Sequence, residues 1–270
     1  MKTFVLSACL LTASVQAVAA ASDIVAADNQ FALSYFSTNV DYTETGAAGP
    51  IDTETGPVPG FGVAISSFGG PGGLYAHAAF DRATGHTTYT GAFIQGGPFG
   101  SVVSTSTATL MDFSGRLGKG FALGDRAMLI PYGEVGRHQW DRGVNYGETY
   151  SHFYFAAGAL AQYSPAARVV LSADAMLGRT AGSYITVNGG PGLTGFSGAL
   201  GDSVISRIGL SGDFAFTRAI HGGIAVDYTS FKYGKSAMYP GTVNGVSALL
   251  YEPDSTTHYT TIKLSIGVAL

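Results

Sequence analysis

The segment from Tyr259 to Leu270 alternates without interruption. Ile262, Leu264, Ile266, Val268 and Leu270 fall on one face, and Thr261, Lys263, Ser265, Gly267 and Ala269 on the other. Period two means a β-strand. One face is unbroken hydrocarbon, while the other sets a lysine among small side chains. That division suits a wall strand with lipid on one side and a polar interior on the other. An edge strand of a soluble sandwich has the same period, so the remainder of the chain has to discriminate.

Composition favours lipid. Charged residues make up 12% of the 270 residues and hydrophobic ones 46%, with 39 Gly, 16 Phe and 15 Tyr; soluble domains carry about 25% charged residues. Beyond the N-terminus no apolar run reaches the roughly 18 residues of a membrane helix, so apolar side chains must meet lipid by alternation, as they do in a closed barrel.

The N-terminus reads as a secretion signal over residues 1–20: Lys2, an apolar stretch from Phe4 to Val18, then small residues through Ala20. The mature domain is expected over 21–270, and a cut after Ala19 fits nearly as well. Leu6-Ser7-Ala8-Cys9 resembles a lipoprotein box, but the apolar core runs past Cys9. Losing the signal removes the only cysteine, which is compatible with passage through an oxidising compartment. Lys2 leaves with it, making the formal charge of -4 one unit more negative. No basic block exists for nucleic acid.

Strands are expected near 29–41, 60–68, 74–81, 105–117, 127–140, 150–163, 168–178, 203–216, 220–233 and 257–270. Connections alternate between short (69–73, 118–126, 164–167, 217–219) and longer (42–59, 82–104, 141–149, 179–202, 234–256), the layout of short periplasmic turns and long outer loops. The expected fold is therefore all-β, an antiparallel up-and-down transmembrane barrel of about ten strands, with eight or twelve as alternatives. Thr87, Tyr89 and Gly91 either extend a strand above the membrane or conceal another hairpin.

Parity supports the barrel, because charges should fall on the lumen side. In the eighth strand Val204, Ile208, Leu210, Phe214 and Phe216 oppose Arg207, Ser211 and Asp213. In the fourth, Met111, Phe113 and Leu117 oppose Asp112, Ser114 and Arg116. The seventh and ninth sort likewise, with Asp174 and Asp227 inward. The fifth is less clean, since Glu134 and Arg137 differ in parity; Arg137 reaches the headgroups or a bulge intervenes. Aromatic residues near strand ends are expected at the headgroup level: Tyr42, Tyr132, Trp140, Tyr150, Phe231 and Tyr233 on the outer side, Tyr163, Phe214 and Phe216 on the inner.

The inward list is Asp112, Arg116, Glu134, Asp174, Arg207, Asp213, Asp227 and Lys263, with His77, His152 and His221. Charges inside a narrow barrel must be paired or hydrated. They form either a salt-bridged polar core that closes the lumen or the lining of a narrow, cation-favouring pore. No catalytic residue, cofactor or metal is assigned. Asp41, Glu44, Asp52 and Glu54 offer carboxylates for a divalent ion, yet the threonines between them read equally well as a solvated loop.

Three stretches carry a family resemblance. Lys263, Ser265, Val268 and Leu270 occupy the positions of the C-terminal assembly signal of outer-membrane barrels, with Ser265 in place of the usual glycine and Leu270 in place of the usual Phe. The run Pro131 to Arg142 and the run Glu252 to Leu270 resemble segments of small Gram-negative outer-membrane barrel proteins of the porin or opacity type. The resemblance implies an outer-membrane location, contact with outer-membrane lipid and lipopolysaccharide, and insertion by the barrel-assembly machinery. It implies no ligand or substrate. Omptin proteases, also ten-stranded outer-membrane barrels, use acidic residues and a histidine at the outer rim; His138 and Asp141 fall at that height without the omptin motifs around them. The expected role is a barrel with a narrow or closed polar lumen that serves structure or surface interaction. A passive channel for small solutes is the alternative, and a surface enzyme the third reading.

Overall fold

Each of the ten expected segments forms a strand in the computed structural model, which describes residues 22–92 and 97–270. The expected signal, residues 1–20, lies outside the described residues. The strands are β1 (Gln30–Gly46), β2 (Gly49–Phe68), β3 (Leu74–Gly91), β4 (Val102–Lys119), β5 (Ala127–Arg142), β6 (Glu148–Ala166), β7 (Val169–Val187), β8 (Val204–Ala215), β9 (Ile220–Tyr233) and β10 (Asp254–Ala269). Each pairs antiparallel with its sequence neighbour, and β1 pairs with β10 from Gln30↔Ala269 to Thr45↔Asp254. The sheet therefore closes, and among the described residues no wall strand is left as a free edge.

Parity sorts the wall as expected. Leu33, Phe61, Val63, Phe80, Phe113, Val135, Phe155, Ile208, Val226 and Leu264 point outward and are exposed in the isolated chain. In β1 the outward positions turn polar above Tyr35, and in β5 they turn polar above Val135, so one apolar band girdles the lower part of a taller cylinder. The fifth strand needs no bulge. Its pairing with β4 and β6 is continuous, and Arg137 points outward over the Phe153 ring at 5.6 Å while Glu134 points inward.

Several expectations change. The segments 42–59 and 82–104 are mostly wall rather than loop: β1 and β2 run to a tight turn at Ala47-Ala48, and β3 and β4 extend to Gly91 and Val102. Thr87, Tyr89 and Gly91 thus belong to an extended strand. The connection 234–256 contains a hairpin, Tyr239–Val243 with Val246–Leu250, turning at Asn244 (φ 50°) and Gly245 (φ 78°). Asn-Gly between valines favours that turn because both central residues take positive φ. The outer aromatic belt is also corrected. Tyr42, Tyr132, Trp140, Tyr150, Phe231 and Tyr233 are buried inside the barrel, because their parity matches that of the inward charges. Tyr163, Phe214 and Phe216 do face outward.

The interior holds two clusters of buried side chains. The outer one gathers Val40, Tyr42, Trp140, Tyr150, Phe231 and Tyr233. The inner one gathers Phe68, Tyr75, Met128, Ile130 and Leu160 around Ile24, which is 1% exposed. Ile24 belongs to a helical turn over 22–27 that enters the inner mouth. Asn29 ties this segment to the rim, donating from Nδ2 to the Phe68 carbonyl at 2.8 Å and accepting at Oδ1 from the Phe68 N–H at 3.0 Å.

The placement of the apolar band has a mutational consequence. Leu264→Lys should destabilise the folded barrel by about 2–4 kcal/mol, and Thr45→Lys, outward but above the band, by no more than about 1 kcal/mol. Urea unfolding in lipid vesicles measures both; equal costs would contradict the band.

Candidate functional site in the barrel interior

Outward positions in the lower wall are apolar, so ionisable groups there collect on the inner face, where each needs a partner. They do so in tiers. At the outer end, above the apolar band, the fully buried Arg142 side chain meets carboxylates from three other strands: Glu44 at 3.1 Å, Asp52 at 3.1 Å, Glu54 at 2.8 Å and Glu148 at 3.4 Å. Its guanidinium lies 4.6 Å from the centre of the Tyr42 ring and 5.1 Å from that of Trp140. Tyr150 donates to Glu252 at 2.5 Å, which brings the last outer connection onto the same cluster. One arginine thus ties β1, β2, β5 and β6 across the bore.

Below it lies an aromatic tier containing two histidines. His138 Nδ1 is 2.8 Å from Asp112 and its Nε2 3.2 Å from the Tyr259 hydroxyl; His152 Nδ1 is 2.7 Å from the Tyr233 hydroxyl. Deeper, Arg116 bridges Glu134 (2.6 Å) and Asp174 (3.1 Å), and Arg207 joins the same Glu134 at 2.6 Å. Tyr154 and Tyr132 donate to Glu134 and Asp174 at 2.7 and 2.8 Å. Opposite them Lys263 pairs with Asp81 at 2.7 Å. At the inner end His221 meets Asp213 at 2.7 Å, and Gln162 donates to Asp28 of the N-terminal segment at 3.2 Å.

All eight inward charges read from the sequence therefore face the interior. Arg116, Glu134, Asp174 and Arg207 form one network, whereas Asp112, Asp213 and Lys263 pair separately. Asp227 lines the space between Arg207 and Lys263 without an ion pair among the described residues. Two contiguous cavities remain, of about 350 and 140 Å³, sharing Asp81, Ser114, Arg207, Asp227 and Lys263.

Other candidates separate. Glu44, Asp52 and Glu54 are committed to Arg142 rather than free for a divalent ion, and Asp41 points outward. His138 faces inward and Asp141 outward, where it accepts from Gln139 and Thr149, so they cannot act on one substrate. Sequence reading missed Arg142, Asp81, Glu148 and Glu252. The signal for Arg142 was present, since it shares parity with Glu134, His138 and Trp140 on a strand expected to stop two residues earlier.

A closed, ten-stranded antiparallel barrel with an apolar outer band and a charged interior has the fold of the Gram-negative outer-membrane β-barrels. Among solved structures, the outer membrane protease OmpT from Escherichia coli is similar at a TM-score of 0.56, with 9% identity over 90% of this chain and 97% of that one. The translocator domain of the autotransporter NalP from Neisseria meningitidis matches at 0.41, with 12% identity over 99% and 97%. Neisserial surface protein A matches at 0.34, with 10% identity over 89% and 97%. No family model matches the sequence, and no curated protein matches it.

The outer tier is built to titrate. Burial, opposed by Arg142 and reinforced by neighbouring carboxylates, raises Asp52 to about 8 and Glu148 to about 7. Glu252 is raised well above the ordinary carboxylate range by burial and by Glu44 and Glu148. In the unfolded chain such carboxyls lose their protons near pH 4 or so. The folded state therefore holds more protons between about pH 4 and pH 8, and the contribution of these groups to stability falls as pH rises through that window. Trp140, the only tryptophan, stacks on Tyr150 with ring centres 5.8 Å apart. The thermal midpoint of its fluorescence should fall from about pH 6 to about pH 9, and Glu148→Gln should flatten that fall. A midpoint that rises with pH would contradict the buried, proton-holding cluster.

Proposed function

We propose that this chain is an integral protein of the Gram-negative outer membrane whose lumen is closed to solutes, and whose projecting wall and loops make its external contacts. The burial of Arg142 among four carboxylates, with its side chain at 0% exposure, carries this reading. An open pore would need a wet path at that level; here the bore is crossed by ion pairs and filled by aromatic rings. Ile24 and its neighbours occupy the inner mouth in the same way. A barrel near eight strands is filled by its own side chains, whereas sixteen leave a channel, and ten lies close to the filled end.

Lipid and lipopolysaccharide are the proposed surroundings of the apolar band. The terminal strand, through Lys263, Ser265, Val268 and Leu270, is the proposed contact for the barrel-assembly machinery. The second reading, a passive channel, is favoured by the contiguous cavities beside Arg207 and Lys263, which would become a path if both ends opened.

Conductance of the refolded protein in a planar bilayer separates the two. The wild type should remain silent, and Arg142→Ala combined with Ile24→Asp, which unpairs one end and expels the other, should produce steps. Stable unitary steps from the wild type would reject the closed barrel in favour of the channel.

A further inference from the structure

The outer wall carries a feature that neither the closed interior nor strand pairing explains. Arg82 points outward at the upper limit of the apolar band on β3, and among the described residues it has no hydrogen bond or ion pair from its side chain. Its cross-strand neighbours continue one outward row, Tyr35 on β1, Phe61 on β2 and Arg82 on β3. Tyr35 and Phe61 meet edge to face with ring centres 5.3 Å apart, and Phe61 is 73% exposed. The row beneath is Leu33, Val63 and Phe80, all apolar and all exposed. Between these rows runs an outward-facing groove of about 770 Å³, bordered above by Pro59 and Thr84. That is the size range of small-ligand sites.

Gly60 lines the groove with backbone alone; a Cβ there would point inward, 2.5 Å from both the Arg82 carbonyl and the buried Phe36 ring, so glycine keeps β2 close to β3 at this level. Just above, the β2–β3 ladder is interrupted between the pairs Thr55↔Thr88 and Gly60↔Ala83, where Pro57 and Pro59 lack a donor. The β2–β3 ladder is thus unpaired immediately above Arg82. A guanidinium without a carboxylate, aromatic rings beside it and hydrocarbon below match an anionic headgroup with acyl chains lying down the wall.

We propose that the groove of Tyr35, Phe61, Val63, Phe80 and Arg82 is a specific binding site for a phosphorylated glycolipid of the outer leaflet, with a phosphate on Arg82 and acyl chains against Leu33, Val63 and Phe80. This rests on the outer-membrane placement proposed above. Two other outward arginines, Arg137 and Arg179, lie at the top of the band but outside the groove and serve as internal controls.

Native mass spectrometry of the detergent-folded full mature chain, titrated with lipid A, chemically dephosphorylated lipid A and phosphatidylglycerol, tests the site. Folding of every variant is checked by circular dichroism. One lipid A adduct should form about tenfold more tightly than with either other lipid. Arg82→Gln should remove that preference and Phe61→Ala should weaken all binding, while Arg137→Gln and Arg179→Gln stay within about twofold of wild type. No adduct, equal affinity for dephosphorylated lipid A or phosphatidylglycerol, or equal losses from Arg82→Gln and Arg137→Gln would each overturn the proposal. Membrane fractionation of the same protein tests the outer-membrane placement separately, so failure of the site and failure of the placement give different results.

Discussion

Within its apolar band, a closed wall that faces lipid leaves ionisable side chains only the inside, and a buried charge persists only beside a partner. Most of this structure follows from that constraint. Arg142 is the extreme case: it answers carboxylates contributed by β1, β2 and β6, and in doing so pins the outer end of the cylinder across its diameter. Arg116 and Arg207 do the same lower down through the shared Glu134. With more acids than cations in the outer tier, some carboxyls keep their protons, which makes that tier the pH-sensitive part of the molecule.

Barrel class, strand number and inward parity were legible because each follows from local alternation. Asp112, Arg116, Glu134, Asp174, Arg207, Asp213, Asp227 and Lys263 all face the interior for that reason. Pairing was not legible, because it depends on which strands meet across the bore. Lys263 on β10 and Asp81 on β3 are separated in the sheet by two strands, and no spacing in the chain announces their contact. The aromatic expectation failed for a different reason: position near a strand end was given weight over parity. Tyr42, Trp140 and Tyr150 share the parity of Glu44, Arg142 and Glu148, and so they went inward with them. The loop expectation failed at 42–59 because threonines and carboxylates resemble a solvated loop, although Glu44, Asp52 and Glu54 already alternated as a strand above the membrane would.

The proposed function rests on which surfaces remain once the interior charges are placed. Ion pairs and rings occupy the outer tier, the N-terminal turn occupies the inner mouth, and the cavities between lie beside the pairs of Arg207 and Lys263. What stays free is on the outside: tall strands above the apolar band, a hairpin in the last connection, and a wall groove headed by an unpaired arginine. The proposed role therefore lies on the exterior.

The most direct test of a sealed interior is accessibility of the lumen to a charged, membrane-impermeant thiol reagent in intact cells. The only cysteine lies in the expected signal, so introduced cysteines report without background. Ser114→Cys, facing the cavity beside Arg207, should remain unlabelled under conditions that fully label Thr45→Cys on the outer wall. Labelling of Ser114→Cys at the rate of Thr45→Cys would mean that the tier of Arg142 does not close the barrel.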